Sequence, residues 1–201
     1  LIVGFPSGVI GGFGWRNDHR SLAINVSSAR DPLGIFVFDA ETGSLKRWSA
    51  PSSTKIDPSE FAQPELVRWK SFDGRTISGY LYEPPERFAG KRPLKIVIHG
   101  GPESQARPGF MGRYNYLINE LGLALLFPNV RGSSGYGKTF LSLDDGRKRE
   151  DAVRDIGALF DWIATHPRLD ADRVLVSGGS YGGYMSLATA THYPERIACA
   201  I

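Results

Sequence analysis

One stretch constrains the fold more than any other: Val174-Leu175-Val176-Ser177 runs into Gly178-Gly179-Ser180-Tyr181-Gly182-Gly183. The apolar run suits a buried strand, and a G-x-S-x-G turn that feeds a helix is too sharp for side chains at its flanking positions. The strained backbone lifts the Ser180 hydroxyl clear of the sheet, where it can act as a nucleophile. The backbone N–H of Tyr181 points at the same place from the head of the helix and can help bind an oxyanion. A dinucleotide-binding loop would need glycine where Ser180 stands. Taken alone, a five-residue pattern also fits any Gly-Ser turn between a strand and a helix.

The segments upstream supply a matching context. Leu94 to Ile98 is an apolar strand except for Lys95, Arg113 to Leu121 suits a helix, and Leu123 to Phe127 is a second buried strand. From about Glu150 a helix carries Val153, Ile156, Phe160 and Ile163 on one face at helical spacing. Strand and helix alternate, and the strands are continuously apolar, which predicts a mostly parallel sheet with helices on both faces. At the end of the first of these strands stands His99-Gly100-Gly101-Pro102. Its glycines allow the backbone to approach a substrate carbonyl, so the N–H of Gly101 is the second candidate oxyanion donor, and His99 is expected to be structural. Strand, elbow and loop together predict an α/β-hydrolase fold.

A second glycine-rich run, Gly132-Ser133-Ser134-Gly135-Tyr136-Gly137-Lys138-Thr139, satisfies the phosphate-binding pattern G-x-x-x-x-G-K-[ST]. Two features argue against a nucleotide site. The strand at 174 to 177 ends without an Asp for magnesium, and Asp144-Asp145-Gly146 interrupts the long helix that should start at Lys138.

Before residue 63 the grammar differs. Ser21 to Val26, Gly34 to Phe38 and Leu45 to Trp48 alternate with polar turns such as Asp39-Ala40-Glu41-Thr42-Gly43, which predicts antiparallel β structure. Residues 49 to 64, rich in Pro, Ser and Thr, read as a linker. Glu65 to Ser71 and Arg75 to Tyr82 flank Phe72-Asp73-Gly74 and predict a hairpin.

Composition excludes several functions. The formal charge of +3, from 24 basic and 21 acidic residues, is scattered apart from Arg147-Lys148-Arg149, so no nucleic-acid partner is indicated. Glycines and Pro6 interrupt the uncharged first 15 residues, which offer neither a membrane span of about 20 apolar residues nor the basic start of a signal peptide. No Cys or His cluster has metal-ligand spacing, and no cofactor motif survives. The single cysteine, Cys199, lies in the apolar run Ile197 to Ile201, a strand in which a small buried thiol is expected. Nothing in the residues specifies an oligomeric state, a compartment or a preferred substrate side chain.

The stretches HGGPESQ (99–105), PNVRGSSGYGKTF (128–140), KREDAVRDI (148–156) and DADRVLVSGGSYGGYM (170–185) resemble, in order and spacing, the prolyl oligopeptidase family, in particular its acylaminoacyl-peptidase and dipeptidyl-peptidase-like bacterial members. The resemblance implies a serine peptidase that hydrolyses short peptides through an acyl-enzyme. Ser180 would be the nucleophile, with Tyr181 and Gly101 as oxyanion donors through their N–H groups. It further implies that residues 1–62 are the end of a β-propeller plus linker, and that residues 63–201 are the N-terminal part of the α/β-hydrolase domain. Arg131, Tyr136 and Glu150-Asp151 match family positions, with loop tethering and helix capping as an equal alternative.

In this fold the chain order is Ser, then Asp or Glu, then His. After Ser180 only His192 and Glu195 follow, in the wrong order, while His19, His99 and His166 precede it. Both chain ends read as cut, so the base and its acid are expected beyond Ile201, and the 201 residues are expected to be inactive alone. An esterase or lipase is the nearest alternative enzyme, and a non-catalytic hydrolase-like binding domain is the alternative outside enzymes.

Overall fold

A computed structural model describes residues 4–50 and 56–201. The chain divides into two compact units, one running to Gln63 and including Arg107–Asn115, the other made of Pro64–Ala106 and Tyr116–Ile201.

The first unit is built on a four-stranded antiparallel sheet in sequential order, β1 (Val9–Trp15), β2 (Ser21–Ser27), β3 (Gly34–Asp39) and β4 (Leu45–Arg47). Three of these strands follow from alternation. The first is hidden in the sequence by Gly11, Gly12 and Gly14, which carry no side chain to alternate, and its register shifts between Ile10 and Gly12. The turn between β3 and β4 is held by the Asp39 carboxylate, which accepts the N–H groups of Glu41 (3.0 Å) and Thr42 (2.9 Å) and the Arg20 guanidinium (2.9 Å). These contacts, the Arg20 bond first, hold the Asp39 carboxyl down at about 2. Ile24 and Val26 are buried on one face of the sheet and Val37, paired with Ala23, on the other. Of the expected linker, residues 51 to 55 lie outside the described residues. After them Asp57 caps a single 3-10 turn, Pro58–Glu60, by accepting the Ser59 N–H at 2.8 Å.

The second unit is a six-stranded mixed sheet. Its strands are β5 (Glu65–Lys70), β6 (Thr76–Tyr82), β7 (Arg92–Ile98), β8 (Ala124–Asn129), β9 (Leu169–Gly178) and β10 (Cys199–Ala200), and the spatial order is β10-β9-β7-β8-β6-β5. The four strands β10, β9, β7 and β8 run parallel, while the β5–β6 hairpin joins antiparallel to β8. The hairpin turn closes through Gly74 N–H to Ser71 O at 2.9 Å, with Gly74 at φ 77° as an Asp-Gly turn requires.

The helices are α1 (Tyr114–Asn119), α2 (Lys138–Leu141), α3 (Arg149–Thr165) and α4 (Tyr181–His192). The predicted apolar face of α3 is its buried face: Val153, Ile156, Phe160 and Ile163 pack with Leu94, Ile96, Leu126, Val174 and Val176 of the sheet. Among the described residues no helix is long and apolar enough to cross a membrane.

Cys199 departs from expectation. It is exposed, because β10 is an edge strand paired only to β9 through Cys199↔Leu175 and Ala200↔Val176.

Candidate active site

Strand β9 ends at Gly178 and α4 begins at Tyr181, so the turn between them is Gly179-Ser180, with Ser180 the residue that precedes the helix. Its backbone sits at φ 56°, ψ −121°, and His19 is the only other non-glycine with positive φ among the described residues. Such a conformation costs of order 1–3 kcal/mol and persists only where the surroundings enforce it. Here they do. Gly182 N–H bonds Gly179 O at 2.9 Å, and Gly183 N–H and Tyr184 N–H bond Ser180 O at 2.9 and 3.1 Å. The enforcing glycines are the outer pair. A Cβ on Gly182 would overlap Ile98 O, and one on Gly178 would lie 2.5 Å from Gly182 C and 2.6 Å from Ile98 O, whereas one on Gly179 would meet nothing within 4 Å. The elbow is therefore wedged against the last residue of β7, and Ser180 is left exposed.

That wedge also brings the loop after β7 to the serine. A Cβ placed on Gly100 would stand 3.4 Å from Gly179 O and 3.5 Å from Ser180 Cβ. Gly101 follows at φ 122°, and a Cβ on it would lie 2.5 Å from Glu103 N, so only glycine suits the position. Tyr181 opens α4, and because the Gly182 and Gly183 N–H groups are taken up by Gly179 O and Ser180 O, the Tyr181 N–H is the first-turn donor left for a ligand. The exposed Ser180 thus has Gly100 on one side and the head of a helix on the other.

The His99 ring holds the loop from beneath. Nδ1 lies 2.7 Å from Gly100 O and Nε2 lies 2.9 Å from Ser133 Oγ. A carbonyl only accepts, so Nδ1 carries the proton and Nε2 accepts from the Ser133 hydroxyl. Burial pushes the His99 pKa below its ordinary 6.5, which favours this neutral ring. Neighbouring bonds fasten the same loop: Ser134 N–H to Ser104 O at 2.8 Å, and Asn129 Oδ1 accepting Ala106 N–H at 2.7 Å. The Tyr136 hydroxyl lies 2.9 Å from Asn129 Nδ2 and 3.0 Å from Ser78 Oγ.

Arg131 tethers another part of the same region. It is buried and donates to Asp155 through its backbone N–H, Nε and Nη2 at 2.9, 3.0 and 2.7 Å, and to Asp73 at 3.3 Å. Of the acidic pair that follows, Asp151 lies 3.8 Å from Arg131 and 3.1 Å from Arg154, and Glu150 bonds Tyr184 and His192. Tethering thus describes the contacts of Arg131, Tyr136 and both acids.

The phosphate-binding pattern at 132–139 receives a different structural account. Its helix α2 has only four residues. A Cβ on Gly132 would overlap the Asp144 carboxylate, and one on Gly135 would come within 2.6 Å of Gln105 Nε2, so both glycines serve close packing.

Among the described residues no imidazole bonds Ser180. His99 is held by Gly100 and Ser133, His166 accepts the Arg168 N–H at 3.3 Å, and His192 lies 3.2 Å from Glu150. Nor does any group of three His, Cys, Asp or Glu among them suit a metal ion.

Residues 108–201 match the sequence profile of the prolyl oligopeptidase family. Over that stretch the chain belongs to the prolyl oligopeptidase family. It is 31% identical over 192 residues to dipeptidyl aminopeptidase BIII of Pseudoxanthomonas mexicana, covering 92% of this chain and 27% of that enzyme. It is 30% identical over 138 residues to the acylamino-acid-releasing enzyme of Rattus norvegicus, covering 68% of this chain and 18% of that enzyme. A solved structure from a study of two prolyl endopeptidases superposes with a TM-score of 0.87 at 21% identity, over 98% of this chain and 29% of that one. The mixed α/β fold is the one these family structures share. The chain spans 27% of the length of the first of these relatives.

Three features of the site were not legible in the sequence. They are the wedge of Gly182 against Ile98 O, the His99–Ser133 bond, and a buried Asp144 that accepts the Tyr181 hydroxyl at 3.2 Å. Each joins residues far apart in the chain, and no local pattern marks such a pair.

Proposed function

We propose that these residues are the nucleophile-bearing part of a serine peptidase that hydrolyses short peptides through an acyl-enzyme on Ser180. The observation that carries this reading is an exposed serine in a strained backbone, set between the head of α4 and Gly100, the residue before the expected donor Gly101. In the reaction Ser180 Oγ attacks the scissile carbonyl carbon and its proton passes to a histidine base. The carbonyl oxygen becomes an oxyanion held by the N–H groups of Tyr181 and Gly101. Collapse expels the amine, which takes the proton from the base, and water then releases the acyl group by the same steps.

We read the base and its orienting acid as lying outside these 201 residues; that no imidazole among the described residues bonds Ser180 supports this reading. Residues 63–201 are then the N-terminal part of the hydrolase domain. Relatives named dipeptidyl aminopeptidase, acylamino-acid-releasing enzyme and prolyl endopeptidase support a peptide substrate. Residues 1–62 are read as the end of a β-propeller followed by a linker. The sequential four-stranded antiparallel sheet supports this, as does its exposed apolar edge at Phe13 and Trp15, which suits stacking on a neighbouring blade. A propeller would admit short peptides and exclude folded proteins.

The test is turnover of short peptide amides by the complete protein and its Ser180→Ala variant. A loss on the order of a million-fold is expected. A variant that keeps a tenth of the activity would remove Ser180 from the mechanism. Turnover confined to activated esters would favour an esterase.

A further inference from the structure

Asp144 has no part in the chemistry proposed above, yet it lies between the two halves of the oxyanion site. It ends the 3-10 turn Ser142–Asp144 and is fully buried, at 0% exposure. Its Oδ2 accepts the Tyr181 hydroxyl at 3.2 Å and the Arg149 Nη1 at 2.9 Å, and the Arg149 guanidinium also lies 5.2 Å from the centre of the Tyr181 ring. Its Oδ1 is buried with no hydrogen-bond partner. Buried polar atoms are nearly always paired, and an ion pair in a protein interior seldom stabilises more than apolar packing of the same volume. Burial also lifts the Asp144 carboxyl above the ordinary carboxylate range, against the opposing pull of Arg149. Stability therefore gives little reason for a carboxylate here.

The placement gives one. On one side Asp144 holds Tyr181, whose N–H is the first oxyanion donor of the proposed reaction. On the other its carboxylate lies so close to the Gly132 Cα that a Cβ there would overlap it. Gly132 is followed by Ser133, whose hydroxyl donates to His99 Nε2 at 2.9 Å, and by Ser134, whose N–H bonds Ser104 O at 2.8 Å. Those two bonds fasten the His99–Ser104 loop, which contains Gly101.

We propose that Asp144 is a positioning residue for the oxyanion site, fixing the spacing of the Tyr181 and Gly101 N–H groups through Tyr181 on one side and Gly132, Ser133 and His99 on the other. The inference rests on the hydrolase reading. Asp144→Asn keeps the shape and an acceptor for Tyr181 but loses the charge that holds Arg149. Tyr181→Phe removes the hydroxyl and leaves the ring, while Gly132→Ala must push the carboxylate aside and also strains a backbone held at φ 91°. A misplacement near 1 Å costs about 100-fold in rate, so each variant is expected to lose about 10- to 100-fold in kcat with KM nearly unchanged.

The experiment uses the complete protein. Wild type is first treated with a fluorophosphonate and the adduct located by mass spectrometry; absence of a Ser180 adduct would sink the hydrolase reading and this inference with it. Given the adduct, kcat, KM and the affinity for a peptidyl trifluoromethyl ketone, whose adduct carries an oxyanion, are measured for each variant. A competitive product inhibitor reports ground-state binding. The expected result is ketone affinity that falls in step with kcat/KM while product affinity holds, with Asp144→Asn and Tyr181→Phe less than additive when combined. Unchanged kcat, or a loss confined to KM and product affinity, would overturn the role of Asp144 while leaving Ser180 in place. Should Asp144→Asn fail to fold, Tyr181→Phe, which removes only the hydroxyl that Asp144 holds, decides by the same criteria.

Discussion

Alanine at Gly182 and alanine at Gly183 should have opposite consequences, although the residues are adjacent in one helix. At Gly182 the new Cβ would fall on Ile98 O and within 3.0 Å of His99 O, both backbone atoms that no rotamer change can move. Ordinary contact begins at 3.4 Å, so the head of α4 and the end of β7 must part by an amount on the order of 1 Å. That movement separates Ser180 from the Gly100-Gly101 backbone. Overpacking of this kind costs about 1–3 kcal/mol in stability, and a 1 Å misplacement costs about 100-fold in rate. At Gly183 the Cβ would meet its nearest neighbour, Gly178 O, at 3.5 Å, which is ordinary contact. Alanine is favoured over glycine in a helix by about 1 kcal/mol, so Gly183→Ala should be neutral or stabilising. Peptide turnover and denaturant unfolding of both variants in the complete protein provide the assay. Gly182→Ala with wild-type stability and turnover would refute the wedge as the reason for glycine at that position.

Arg131→Met leaves Asp155 buried without its cation and should cost about 3–5 kcal/mol by denaturant unfolding. Adding Asp155→Leu should recover part of that loss, and a double variant no better than the single would contradict the ion-pair account. The lowered pKa of His99 predicts a pH dependence of stability. Below the ordinary 6.5 the unfolded chain binds a proton that the folded ring resists, so this contribution is present above 6.5 and is lost as pH falls towards the lowered folded value. Unfolding midpoints at pH 7 and pH 5 should therefore converge in His99→Gln relative to wild type, and an equal pH response in both proteins would count against a neutral His99.

Much of this fold was legible because it rests on short-range rules. The apolar spacing from Val153 to Ile163 became the buried face of α3, and Asp73-Gly74 became the turn of the β5–β6 hairpin. The strand-to-helix setting of Ser180 could also be read, since the strained turn needs glycine at its flanks, Gly178 and Gly182. What escaped depends on edges and distant partners. Strand β1 was masked by glycines that show no alternation. Cys199 looked buried in an apolar run, but β10 lies at the rim of the sheet. In the sequence Asp144 stood out only as part of the Asp144-Asp145-Gly146 break in a helix, and its burial against Tyr181 depends on a partner 37 residues away.

The most direct test of the central claim is the site of covalent modification in the complete protein. A fluorophosphonate should phosphonylate a single residue, Ser180, and a competing short peptide should slow the modification while abolition of peptide turnover tracks its extent. Complete loss of turnover with Ser180 unmodified, or full modification of Ser180 with turnover intact, would contradict the assignment of Ser180 as the nucleophile.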